Sequence, residues 1–208
     1  MTTSRTAMAI GCFLLLLTGA ALAESSASPF SKLKPMTPIG ASENEKAPNY
    51  LGASLGSTTT AGFCDGLANC DNSDKSWKAY AGIRMNDNLV LEGGYVDFGK
   101  QTGAGTNGEV SQQASAFTVA GVAGVPISDQ IEVFGKAGLA RWTVEQADST
   151  GSAKTSSADV LVGVGANYDL GDNMGVRAEW ERFKDVGGKT GRGGDIDLMS
   201  LGLTFSSL

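Results

Sequence analysis

From Asn49 onward, apolar side chains in this 208-residue chain recur at every second position, and no stretch carries a convincing helical period. In "DVLVGVGANYDL", Val160, Val162, Val164, Ala166 and Tyr168 fall on one face of an extended chain, and Asp159, Leu161, Gly163, Gly165 and Asn167 on the other. "DLMSLGLTFSSL" repeats the division, with Met199, Leu201, Leu203 and Phe205 opposed to Ser200, Gly202, Thr204 and Ser206, and Leu51, Ala53 and Leu55 likewise oppose Tyr50, Gly52, Ser54 and Gly56. A period of two belongs to strands whose faces meet different surroundings. The pattern predicts an all-β chain of eight strands, near 49–59, 76–85, 89–99, 112–127, 131–146, 157–170, 174–186 and 195–207.

The links between these strands alternate strictly. "NDN" at 86, "SDQ" at 128 and "GDN" at 171 are tight turns, whereas the links around 60–75, 100–111, 147–156 and 187–194 are longer, polar and rich in Gly, Ser, Thr and Asp. Short turns then gather at one end of a meander and long loops at the other, the habit of an outer-membrane barrel. A soluble meander can show the same asymmetry.

The faces separate the two readings. In "VRAEWERF", Arg177, Glu179 and Glu181 lie on one side and Val176, Ala178 and Trp180 on the other. A soluble barrel needs bulky apolar residues inside. Here the faces that carry charge also carry the glycines, which suits a crowded interior better than a solvated exterior. The valine side is therefore assigned to lipid, with Trp77, Tyr95, Tyr168, Trp180 and Phe205 pointing outward as interfacial aromatics. On this reading Val162→Arg should damage insertion more than Gly163→Ser. The alternative makes these aromatics the core of a sandwich.

Residues 1–23, with Arg5 as the sole charge, an apolar run through Leu17 and small residues at Ala21 and Ala23, read as a secretory signal cleaved after Ala23. Residues 24–48 hold four of the five prolines and read as a flexible periplasmic extension; residues 49–208 form the barrel. Cleavage would leave 15 basic against 22 acidic residues, a balance that argues against nucleic acid as a partner. Cys64 and Cys70, an even pair in an exported chain, read as a disulfide. With no histidine in the sequence, they lack the further ligands a zinc site needs.

The elements "SWKAYAGIRMNDNLVLEGGYVDFGK", "VRAEWERF" and "LMSLGLTF" together resemble the transmembrane barrel of the OmpA-like outer-membrane family, which includes small opacity-type surface proteins. The resemblance spans residues 49–208. It implies an eight-stranded antiparallel up-and-down barrel in the outer membrane of a Gram-negative-type envelope, with a periplasmic N-terminus, short periplasmic turns and longer extracellular loops. By the same resemblance Glu92 falls at an inward acid, Lys136 at an inward base, and Arg177 with Glu179 at inward charges. Two departures stand out: no peptidoglycan-binding domain follows the last strand, and the sequence closes on "TFSSL" where such barrels carry a terminal aromatic.

The candidate site is thus a lumen network of Glu92, Lys136, Arg177, Glu179 and Glu181. Charges there should pair. An eight-stranded barrel is just wide enough to be filled by side chains, so the network reads as a structural plug, with a narrow diffusion pore as the alternative. Catalysis by a histidine-dependent mechanism is excluded. A His-free lipid-modifying carboxylate pair is a third, weaker reading, since Glu179 and Glu181 sit beside Arg177. Asp65, Asp71 and Asp74 lack the spacing of a calcium loop, and "GRGGDID", with Arg192 and Asp195, reads as a flexible loop. No cofactor is expected. The expected partners are outer-membrane lipid and a surface ligand held by the long loops; nothing in the pattern assigns an oligomeric state.

Overall fold

The computed structural model describes residues 49–86, 88–105, 108–149, 151–188 and 193–206. The signal and extension read from the sequence lie outside the described residues. The strands are β1 Tyr50–Thr60, β2 Ala68–Asp71, β3 Ser73–Asn86, β4 Leu89–Gly105, β5 Gly108–Pro126, β6 Ile131–Asp148, β7 Gly151–Gly171, β8 Met174–Val186 and β9 Gly194–Ser206. Long strands pair antiparallel with their sequence neighbours, and β1 closes the ring on β9, from Tyr50 opposite Ser206 to Thr60 opposite Ile196. The short β2 stands outside this ring of eight and pairs with the far end of β4, Ala68 opposite Ala104. Closure matters physically, because backbone groups at membrane depth have no water to turn to and must find partners within the ring.

Polarity in two of the expected long loops proves to be that of strand. β4 runs to Gly105 and β5 resumes at Gly108, while β6 runs to Asp148 and β7 resumes at Gly151. Gly, Ser and Thr disfavour isolated strands, yet here each segment is held by its neighbour, as in Gly103 opposite Val110 and Gln146 opposite Ala153. Change of composition marks where the strands leave the lipid, not where they end. At the other end the turns are as tight as expected. Asp172 and Asn173 both adopt positive φ, 52° and 63°, the conformation a two-residue hairpin turn requires and these residue types tolerate.

The burial pattern is that of a soluble protein turned inside out. Leu55 is 73% and Met199 68% exposed on the outer face, while Arg177 and Glu181 are each 1% exposed inside. Leu51, Phe117, Leu139, Val164, Leu201 and Leu203 extend the outer apolar belt around the ring. A belt of this extent is not a surface that water covers in a monomeric soluble protein. Trp77, Tyr95 and Phe117 stack across β3, β4 and β5 on that face, with ring centroids 5.5 and 5.1 Å apart. On β8 and β9 the outward Arg182 holds Asp197 through two bonds of 2.7 and 2.8 Å, and Val162 pairs directly with Arg182. That charge pair puts Val162 near the edge of the belt. Inside, a Cβ added to Gly163 would lie 2.9 Å from the Trp180 carbonyl oxygen. Gly163→Ser, expected to be the less damaging of the two substitutions, would therefore require the backbone to shift.

Candidate functional site in the barrel lumen

Alternation along β8 delivers Arg177, Glu179 and Glu181 to the lumen at successive inward positions, while β4 supplies Glu92 and β6 supplies Lys136. Lys136 Nζ lies 2.6 Å from Glu92, 2.7 Å from Glu181 and 3.3 Å from Glu179. Arg177 reaches Glu92 at 2.8 Å through Nη1 and Glu179 at 3.2 Å through Nη2. All five are buried.

A sixth charge completes the cluster. Lys78, on β3, donates to Glu181 at 2.5 Å and to Glu179. Sequence reading did not single it out, although the signal was present, since an outward Trp77 places Lys78 inward by simple alternation. Three carboxylates thus face three cations, and the described lumen network is neutral. Each ion alone would cost several kcal/mol to bury; here every one meets at least two opposite charges.

Aromatic rings seat the network from the turn end. Tyr50 donates its hydroxyl to Glu92 at 2.5 Å and accepts from Arg177 at 3.2 Å. The Arg177 guanidinium stands 4.2 Å from the Phe134 ring centroid and 4.8 Å from that of Tyr80, a favourable arrangement for a cation over a π face. Tyr80 lies over Gly52, in the space a Cβ there would take. The inward glycines make room for the rings and for the long charged side chains.

Toward the loop end the lumen changes character. There the inner faces carry a buried apolar layer: Phe98, Trp142, Val144, Leu161, Phe183, Ile196 and Leu198. Phe98 and Phe183 meet edge to face at 4.7 Å, and Trp142 Nε1 donates to Asp159 at 2.8 Å. These positions interrupt strands that otherwise read as polar inside, so single-strand periodicity did not reveal them as one layer. At the turn end, by contrast, a cavity of about 810 Å³ lined by Tyr50, Arg84, Glu132, Asn167, Arg177 and Thr204 stops at Arg177.

Beyond the barrel mouth, Cys64 and Cys70 form a disulfide, with Cα atoms 5.6 Å apart. Phe63, next to it, is fully buried. In the same loop Asp71 accepts hydrogen bonds from the Ser73 amide at 3.0 Å and hydroxyl at 2.9 Å, which hold its carboxyl below its ordinary value. Asp74 is committed to the Lys75 and Lys100 amides at 2.7 and 2.6 Å. Asp195 holds Lys184 at 2.6 Å, and Arg192 lies outside the described residues. Among the described residues, no group of three acidic or cysteine side chains is placed to hold a metal ion.

The OmpA-like transmembrane domain matches residues 44–207, a span that takes in every strand of the ring. The chain belongs to the OmpA-like transmembrane domain family. No curated protein sequence matches it. Among solved structures, Neisserial surface protein A aligns with a TM-score of 0.58 at 14% identity, over 78% of this chain and 100% of the other. The N-terminal β-barrel domain of Pseudomonas aeruginosa OprF aligns with a TM-score of 0.54 at 11% identity, again over 78% and 100%. At such identities the likeness is one of fold. This OmpA-like barrel is a protein of the Gram-negative outer membrane, and the lipid of that membrane is the partner of its apolar belt.

Proposed function

We propose that this OmpA-like barrel is a closed structural element of the outer membrane that presents its loop end to the outside, where a surface ligand is held. The turn end then faces the periplasm. Stacking of two dissimilar seals supports the reading above all: a charge-neutral layer of six ions lies beneath an apolar layer around Phe98, Trp142 and Phe183. An ion crossing the lumen would have to displace the first and then shed its water in the second. In planar bilayers the purified protein should conduct little. Large, steady conductance would refute the plug.

The narrow-pore reading draws on the cavity of about 810 Å³ that leads from the turn end to Arg177. It predicts conductance that changes with the lumen charges. No His-assisted chemistry is open to the chain, and the carboxylates that a His-free lipid-modifying mechanism would use are engaged by Lys78, Lys136 and Arg177. Lipid turnover lost with Glu179 or Glu181 would be the sign of such an enzyme.

A further inference from the structure

Beyond Leu161, β7 has a neighbour on one side only. Its pairing with β6 is continuous from Tyr168, opposite Ile131, to Gly151, opposite Asp148. Its pairing with β8 runs only from Gly171, opposite Met174, to Leu161, opposite Phe183. Residues 151–160 therefore present, among the described residues, an edge whose outward-turned backbone N–H and C=O groups have no strand partner. The edge lies past the lipid belt, at the loop end, and most of its side chains are exposed.

Edges of this length are usually protected by proline, by charged side chains, lysine above all, or by a bulge. Here the protection is slight. The segment "GSAKTSSADV" contains no proline, its single cation Lys154 is tied to Glu145, and its pairing to β6 runs without a register shift. On the other flank of the same sheet, β4 continues past the belt and is covered by β2. The structure thus covers one flank and leaves the other open.

We propose that the β7 edge from Gly151 to Val160 takes an extended, cation-bearing peptide segment of a protein outside the cell as an added antiparallel strand. Unpaired backbone groups in a row are matched by one kind of ligand, another extended backbone. Small side chains at Ser152, Ala153, Thr155, Ser156, Ser157 and Ala158 leave the incoming strand free to carry large ones. Along the edge and its β6 neighbour, the three acids Glu145, Asp148 and Asp159 stand against the two cations Lys154 and Arg141, a net charge of -1 that favours cations in the ligand. A second copy in the same membrane is disfavoured by symmetry. Joining two identical edges antiparallel requires a two-fold axis perpendicular to the sheet, which would turn one barrel upside down in its bilayer.

The inference rests on the outward orientation of the loop end proposed above, and its test is arranged to be independent of it. The probe is a synthetic ten-residue peptide of alternating lysine and valine, added to the full barrel in phosphatidylcholine nanodiscs, where both ends are accessible; empty nanodiscs give the background. Expected is slowed amide exchange at alternate positions within 151–160. Binding should weaken at least tenfold when alternate peptide nitrogens are methylated, and again when glutamate replaces lysine. Ser156→Pro and Ser157→Pro are made as a pair, because one of the two removes an outward-turned amide; one should abolish the protection. Were either variant to misfold, the methylated peptide on the unaltered barrel decides alone. Absence of binding, equal binding of the methylated peptide, protection confined to other segments, or concentration-dependent protection without peptide, the sign of a second copy, would each overturn the proposal. Orientation is read separately, by labelling Lys154→Cys with a membrane-impermeant maleimide on intact cells.

Discussion

Arg177→Ala should be the most damaging single truncation in the lumen. The side chain is 1% exposed, holds Glu92 at 2.8 Å and Glu179 at 3.2 Å, and stands over the rings of Phe134 and Tyr80. Its removal leaves three carboxylates to Lys78 and Lys136. Breaking a buried pair from one side costs about 3–5 kcal/mol, because the remaining charge is stranded. Lost cation–π contact adds about 0.5–2 kcal/mol, and redistribution of Glu92 onto Lys136 and Tyr50 returns part of it, so about 3–5 kcal/mol is the expected total. Glu92→Gln should be milder, since Arg177 keeps Glu179, and Lys136 keeps Glu179 and Glu181. The decisive comparison is the double variant Arg177→Met with Glu92→Gln, which restores neutrality with two ions of each sign. Replacing a buried pair by uncharged groups is often close to neutral, so the double variant should be more stable than Arg177→Ala alone. Urea titration of the barrel in phosphatidylcholine vesicles, followed by tryptophan fluorescence and electrophoretic mobility, measures all three. A cost below about 1 kcal/mol for Arg177→Ala, or a double variant no more stable than Arg177→Ala, would refute the idea that charge balance holds the lumen shut.

Four further outcomes are expected. Leu201→Arg, midway along the outer face of β9 between Asp197 and Phe205, should destabilise the inserted barrel by about 2–4 kcal/mol, and Val162→Arg, beside the Arg182–Asp197 pair, by about 0–1 kcal/mol; equal losses on vesicle unfolding would contradict the assigned depth. Thiol labelling without reductant should find neither Cys64 nor Cys70 reactive, and reduction should loosen the 61–72 loop in hydrogen exchange while changing barrel stability by no more than about 2 kcal/mol, the loop-closure value for so short a ring. The Asp71 carboxyl should titrate by NMR below the ordinary aspartate value of about 3.9. Because its folded value is depressed, its contribution to loop order is present above the unfolded value and lost as pH falls through the folded one, so exchange protection of the Ser73 amide should survive at pH 5 and fade only in stronger acid. Intact mass of the membrane-fraction protein should correspond to a chain beginning at Glu24, and retention of residues 1–23 would contradict the assigned signal.

Alternation is a local property of the pleat, and for that reason the sequence alone determined a great deal. The eight ring strands, the three tight turns and the outward direction of Trp77, Tyr168 and Phe205 follow from residues two apart. So does the inward direction of Arg177, Glu179 and Glu181, once the glycine-bearing faces are taken as the inside. What sits opposite a residue across the ring is not local. It depends on strand tilt and stagger and on closure of β1 onto β9. Tertiary structure therefore decided that Lys78 joins Glu179 and Glu181, 101 and 103 residues away, and makes the network neutral. Closure likewise gathers Phe98, Trp142, Leu161, Phe183 and Leu198, one from each of five strands, into a single layer. The extra length of β6 and β7 was hidden for a related reason: Gly, Ser and Thr have little strand propensity of their own, and only the hydrogen bonds of a paired neighbour hold them extended past the membrane.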